Sequence, residues 1–175
     1  MNTSMWERLR NTAKLSLALL LIAGVWSGGE VKQAAADEDW LSNIEVEAGN
    51  NYSIAYMDYS YLAFGQNTQS QLGIGNEFFT PEPTMLTQDG IKSVEAGGNH
   101  TLFVTNYGTV ESFGANEYGQ SDPDSFRKMI YKPTEIPYLT GVIAAAAGEK
   151  FSAALKYDGT VWVWGYNPHD DNLLR

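Results

Sequence analysis

From Thr101 to Thr105 the chain alternates: Leu102 and Val104 are interleaved with Thr101, Phe103 and Thr105. A period of two over this length predicts a half-buried strand. The same pattern places Ile54 and Tyr56 earlier in the chain and Ala153 and Leu155 later. Next come Asn106-Tyr107-Gly108 and Tyr157-Asp158-Gly159, where glycine supplies the positive φ that a short hairpin turn requires. The chain then returns through Val110 to Phe113 and through Val161 to Trp164, so each stretch predicts a hairpin. Pro81, Pro83, Pro133 and Pro137 suit edge strands and loops, because proline cannot donate to a sheet ladder. Short apolar runs, Ile91 to Ala96 and Val142 to Ala147, lead into the following hairpin. The sum is a four-stranded antiparallel unit.

That unit recurs. Glu47 to Gln71, Glu95 to Gln120 and Ala146 to Asp171 all open on Ala-Gly and continue to an aromatic-Gly-x-Asn phrase. The opening glycines Gly49, Gly97 and Gly148 stand 48 and 51 residues apart, and the closing glycines Gly65, Gly114 and Gly165 stand 49 and 51 apart. The closing asparagines are Asn67, Asn116 and Asn167. A period of about fifty residues is that of propellers and related arrays.

The phrasing resembles the regulator of chromosome condensation repeat family. The middle unit carries the resemblance through Gly97, His100, Thr101, Gly108, Phe113, Gly114, Asn116, Gly119 and Gln120. The first unit has Tyr52 in the histidine slot and keeps Gln71-Leu72-Gly73. The third has Phe151 there and keeps Asp158-Gly159 and Trp162-Val163-Trp164-Gly165. The resemblance covers Ile44 to Arg175 and implies an all-β fold. The expected architecture is a partial β-propeller of about three four-stranded antiparallel blades, the last incomplete, preceded by an N-terminal signal helix. The repeats span about 44–90, 91–140 and 141–175. A closed ring in this family uses seven blades, roughly 350 residues at about 50 per repeat. A shorter arc exposes apolar faces and strand edges. A fragment of a longer chain, a ring completed by several chains and a stable short arc all fit that arithmetic.

Ahead of the repeats, Arg8, Arg10 and Lys14 precede an uncharged run from Leu15 to Trp26, and Ala34-Ala35-Ala36 offers small residues to a signal peptidase. The expectation is export with cleavage after Ala36, which divides the chain into a signal peptide, 1–36, and a repeat domain, 37–175. The alternative is an uncleaved N-terminal membrane anchor, although the run falls short of the ~20 apolar residues that span a bilayer. The mature part holds 7 Lys and Arg against 19 Asp and Glu. Without a basic stripe, nucleic acid is not an expected partner, and no membrane partner is expected after cleavage. The chain has no cysteine, so an exported form relies on packing without disulfides.

Candidate chemistry is sparse. His100 corresponds to Tyr52 and Phe151, neither of which replaces a ligand or a general base, so a packing and hydrogen-bonding role is expected. His169 with Asp170 and Asp171 falls short of the three or four ligands a transition metal takes. Asp122 and Asp124, in the run Ser121 to Ser125, read as a turn rather than a calcium loop. Gly73-Ile74-Gly75 lacks the residues that complete a phosphate loop. No catalytic, cofactor or metal site is expected, and the chain does not read as an enzyme. Of Tyr52, Tyr56, Tyr59, Tyr61, Trp162 and Trp164 most read as core, Trp164 above all, whereas Trp162 and Tyr59 to Tyr61 remain available for recognition.

The expected function is an exported, non-enzymatic scaffold that binds a protein or the cell envelope, secreted or envelope-associated, with self-assembly through open blade edges as an option. The resemblance implies an alternative, nucleotide-exchange regulation of a small GTPase. A carbohydrate-binding module resting on tyrosine and tryptophan is the third reading.

Overall fold

The computed structural model describes residues 44–57 and 60–166, without the side chain of Met57. The expected signal helix, Ala34, Ala36, Tyr59, Asn167 and the cluster around His169 lie outside the described residues. Every regular element among those described is a strand. Blade 1 contains β1 (Glu45–Ala48), β2 (Tyr52–Met57), β3 (Ser60–Gly65) and β4 (Thr80–Thr87). Blade 2 contains β5 (Ile91–Ala96), β6 (His100–Thr105), β7 (Thr109–Ala115) and β8 (Met129–Thr140). Blade 3 contains β9 (Val142–Ala147), β10 (Phe151–Lys156) and β11 (Val161–Gly165). Each blade is an antiparallel meander in sequence order, with four strands in the first two and three in the last. The β6–β7 and β10–β11 hairpins turn at Gly108 and Gly159, whose φ angles are 75° and 84°.

Two apolar layers form where consecutive blades meet. The first sets Tyr52, Ile54 and Tyr61 of blade 1 against Val94, Phe103 and Phe113 of blade 2. Phe103 meets Tyr61 and Phe113 edge to face at centroid distances of 5.1 and 5.0 Å, an arrangement that suits the ring quadrupoles. The second layer sets Leu102, Val104 and Val110 of blade 2 against Val142, Ala154 and Trp164 of blade 3.

Alternation along β6 therefore sends Phe103 one way and Leu102 and Val104 the other, and both ways lead into a core. The half-buried expectation is corrected here, since all six residues of β6 are buried. A sheet clamped between two neighbours has no solvent face, and its polar positions, His100 and Thr101, are paired instead. At about 1.5–3 kcal/mol per fully buried large apolar side chain, the clamp is the main source of stability for blade 2. In β10 the half-buried pattern holds, with Ser152 and Ala154 buried and Phe151 and Leu155 exposed.

Candidate functional site

The repeat positions converge on the two junctions between blades. Three residues after each opening glycine stands a ring, Tyr52, His100 or Phe151, and that ring lies directly on the glycine. A methyl group at Gly49, Gly97 or Gly148 would collide with it. At Gly97 the added carbon would also come within 2.7 Å of the Gly148 carbonyl of the next blade. The glycines thus let neighbouring backbones approach: Asn50 N–H donates to Gly98 O, and Gly98 N–H to Gly148 O, both at 3.0 Å.

From the ring a polar latch crosses each junction. At the first, the Tyr52 hydroxyl donates to His100 O at 2.6 Å and lies 3.2 Å from Thr101 Oγ1, whose own proton goes to Gln71 O at 2.9 Å. Burial pushes the Tyr52 phenol well above its ordinary range. At the second, His100 Nε2 lies 2.8 Å from Ser152 Oγ, and Ser152 Oγ donates to Gln120 O at 2.8 Å. Trp164 Nε1 donates to the same carbonyl at 2.9 Å. The serine has one proton and gives it to a group that only accepts, so the imidazole must donate through Nε2. Nδ1 is then a bare acceptor, buried without a hydrogen-bond partner. Burial lowers the His100 pKa to about 4, which leaves the ring neutral. An enclosed, neutral imidazole of this kind serves as a strut. Phe151, in the same slot of blade 3, has no polar atom with which to extend the latch.

The closing phrase builds the loop beyond the third strand of a blade. Gly65, Gly114 and Gly165 have φ of 106°, 106° and 98°. A side chain at Gly114 would come within 2.6 Å of Asn99 O and the His100 Cα. Asn116 then braces the turn: Oδ1 accepts from Ser121 N and Asp122 N at 3.0 and 2.8 Å, while Nδ2 donates to the carbonyls of Asp122, Ser125 and Arg127. Asn67 holds Leu72 N and Asn76 O in the corresponding way. The Ser121 to Ser125 run is thus a loop organised by an asparagine. Among the described residues no three histidine, aspartate or glutamate side chains gather as metal ligands.

Blade 3 differs from the others in what it leaves open. On its face away from blade 2, Phe151, Leu155 and Val163 are 43%, 37% and 42% exposed, whereas Tyr52 and His100, the counterparts of Phe151, are buried. Among the described residues β11 pairs only with β10. Beside β11 lies a cleft of about 500 Å³ lined by Ile136, Tyr138 and Leu139 of β8, by Trp162 and Trp164, and by Asp124. The register Ser152 to Trp164 and Ala154 to Trp162 puts both tryptophans on the side facing blade 2. Trp164 is buried and Trp162 is half exposed with Lys156 Nζ 5.4 Å above its ring. Tyr56 belongs to the first junction, where it donates to Ile91 O at 2.8 Å, and the expectation that Tyr61 is open to recognition is corrected, because its ring is buried there against Phe103 and Phe113.

Sequence reasoning missed one cluster. Desolvation, then the charges of Glu47 and Glu45, raise the Glu95 pKa to about 7, and Glu45 Oε2 accepts from Val94 N at 3.3 Å. A signal was present, since Glu47 and Glu95 both stand immediately before Ala-Gly.

Comparison with known proteins agrees with this geometry. Models of the regulator of chromosome condensation (RCC1) repeat match residues 61–104, 91–120 and 142–170. The mouse Regulator of chromosome condensation is 35% identical over 108 residues, covering 59% of this chain and 25% of the mouse protein. The ultraviolet-B receptor UVR8 of Arabidopsis thaliana is 30% identical over 130 residues, covering 70% of this chain and 29% of its own length. Among solved structures, human WBSCR16 superposes with a TM-score of 0.67 at 22% identity, over 85% of this chain and 41% of that one. Prp20p of Saccharomyces cerevisiae gives 0.60 at 21%, over 70% and 33%. The chain thus spans between a quarter and a half of the length of these relatives. With matched repeats in all three blades and the same fold in solved relatives, the chain belongs to the regulator of chromosome condensation (RCC1) repeat family.

Proposed function

We propose that this chain is an exported, non-enzymatic repeat scaffold that docks a protein or cell-envelope partner. The observation that carries the reading is the contrast between a doubly clamped blade 2, with β6 buried throughout, and blade 3, whose cleft side presents Trp162 at 50% exposure. Aromatic side chains on a rigid base are what binding hot spots require. His100, the one histidine among the described residues, is sealed inside a junction, which favours recognition over bond-making. Export rests on Arg8, Arg10 and Lys14 ahead of the Leu15 to Trp26 run and on the alanines ending at Ala36. An uncleaved N-terminal anchor is the alternative placement.

Affinity capture from envelope extract and culture supernatant with the folded chain is the test. Recovery of a specific protein that Trp162→Ala weakens supports the reading, and no specific protein in either fraction contradicts it. Relatives favour a second reading. One structural relative is described as binding Gsp1p and histones, and one curated relative is named a GTPase regulator. Accelerated release of a fluorescent nucleotide from a small GTPase would establish that reading instead. A carbohydrate ligand in the Trp162 and Tyr138 cleft predicts a tryptophan emission shift with envelope polysaccharide.

A further inference from the structure

Where the loops of blades 1 and 2 adjoin, the surface is apolar and positively charged, in a chain whose net charge is −10. Phe78 and Phe79, in the loop before β4, are 76% and 63% exposed, and Phe126, in the loop before β8, is 99% exposed. Single exposed apolar residues are ordinary, but three exposed phenylalanines on adjoining loops mark an interaction surface. The loops are joined through the start of β8. Gly75 N–H donates to Tyr131 O at 3.1 Å, the Tyr131 hydroxyl donates to Glu77 Oε1 at 3.0 Å, and the Lys132 side chain lies over Gly75. The bond to Glu77 and its charge push the Tyr131 phenol up, and the nearby Arg127 cation opposes them. Both blades have all four strands at this place.

Each loop is held by its own hydrogen bonds, which keeps the rings outside the core. Asn116 Nδ2 donates to Ser125 O and Arg127 O at 3.3 and 2.9 Å, and Asn116 N–H donates to Lys128 O at 2.7 Å. Asn76 Oδ1 accepts from Phe78 N–H at 2.9 Å, and Thr80 Oγ1 donates to Phe78 O at 3.2 Å. A surface fixed in this way loses little freedom on binding. Of the six Lys and Arg among the described residues, Arg127, Lys128 and Lys132 fall within six positions, and Ser125 to Thr134 contains no acid. Asp124 of the same loop lines the cleft beside β11 instead, and Glu77 is engaged by Tyr131.

We propose that the rim formed by Phe78, Phe79, Phe126, Arg127, Lys128 and Lys132 docks an extended segment of a partner protein in which carboxylates alternate with apolar side chains. The carboxylates pair with the cations, and the apolar side chains cover the phenylalanines. Charge complementarity fixes the class of occupant. At physiological salt an exposed charge acts over about 8 Å, so a slender acidic segment meets the local cations. A broad anionic membrane also meets the acids that dominate the rest of the chain. The proposal rests on the scaffold reading above and gives it a docking surface apart from the Trp162 cleft.

The probe is a capped decapeptide alternating glutamate with leucine, added to the isotopically labelled full chain. Saturable binding is expected, with NMR shift changes on the amides of residues 77–79 and 126–132. Phe126→Ser, and Arg127→Glu combined with Lys128→Glu, should each weaken binding about tenfold, and raising the salt to about 0.3 M should weaken it several-fold. All three side chains are exposed, so these variants should keep the parent Tm. No binding up to about 1 mM peptide, equal binding of a lysine and leucine decapeptide, or shifts centred on residues 161–164 overturns the site. Tighter, Phe126-dependent binding to phosphatidylglycerol vesicles, or self-association that shifts the same amides, overturns the choice of occupant. A captured protein that Trp162→Ala weakens and the charge reversals leave unchanged overturns the rim while the scaffold reading stands. Peptide binding at the rim by a chain for which no protein partner is recovered supports the rim and contradicts the scaffold reading.

Discussion

Replacing Ser152 by alanine removes the centre of the second latch. The side chain is buried, accepts from His100 Nε2 at 2.8 Å and donates to Gln120 O at 2.8 Å. Two buried hydrogen bonds contribute about 1 kcal/mol each, and stranding the His100 N–H without an acceptor adds about 1–3 kcal/mol. Gln120 O keeps its bond from Trp164 Nε1 and adds little to the loss. The expected destabilisation is therefore about 3 kcal/mol, or on the order of 10 °C in Tm for a domain of this size. Urea titration and calorimetry of the full chain measure it. Ser152→Thr, which copies Thr101 of the first junction, should keep most of the stability. His100→Phe, which copies blade 3, removes donor and unpaired Nδ1 together and should cost only about 1 kcal/mol. In that background Ser152→Ala should fall to about 1 kcal/mol, a coupling that a double-mutant cycle reads directly. A Ser152→Ala penalty under about 0.5 kcal/mol, or strict additivity with His100→Phe, would refute the latch.

Gly114→Ala and Gly159→Ala should separate sharply, although both sites have positive φ. The first meets Asn99 O at 2.6 Å and should cost about 3 kcal/mol or more, whereas the second meets nothing within 4 Å and should cost about 1–2 kcal/mol in the same denaturation assay. Asn116→Ala should loosen residues 116–128, seen as faster proteolysis of that loop, because five hydrogen bonds converge on its side chain. His100, held neutral with a folded pKa of about 4 against 6.5, contributes stability that is full above pH 6.5 and lost as pH falls towards 4. The loss reaches about 3 kcal/mol, and His100→Phe should abolish it. Glu95, raised to about 7, acts with opposite sign: the folded chain keeps a proton that the unfolded chain releases above about 4.5, so stability falls as pH rises from 4.5 to 7. Glu95→Gln should flatten that part of the pH profile.

The repeat landmarks carried the fold because each is forced by a local contact. Gly97 must lack a side chain for the His100 ring to lie on it, and Gly114 for the Asn99 carbonyl. Such constraints recur in every blade and therefore show in a single chain. Burial of β6 on both faces was not legible, since alternation reports which residues share a side and not how many sides are covered. Thr101 and Ser152 were visible only as a hydroxyl after the ring position, because the repeat marks where the hydroxyl recurs and not that it meets the ring of the preceding blade. The Glu45, Glu47 and Glu95 cluster arises from β1 lying near β5, which sequence order along one blade does not reveal. Trp162 and Trp164 could be assigned to one cleft only from the pairing of β10 with β11.

Native-state hydrogen exchange of the full chain, resolved by residue, tests most directly the claim that blade 2 is clamped between its neighbours, with β6 buried along its whole length where β11 is largely exposed. The account predicts that the amides of β6, residues 100–105, exchange slowest and only through global unfolding, and that β11, residues 161–165, exchanges far faster through local opening. Equal rates in the two strands, or β6 exchanging as freely as β11, would contradict it.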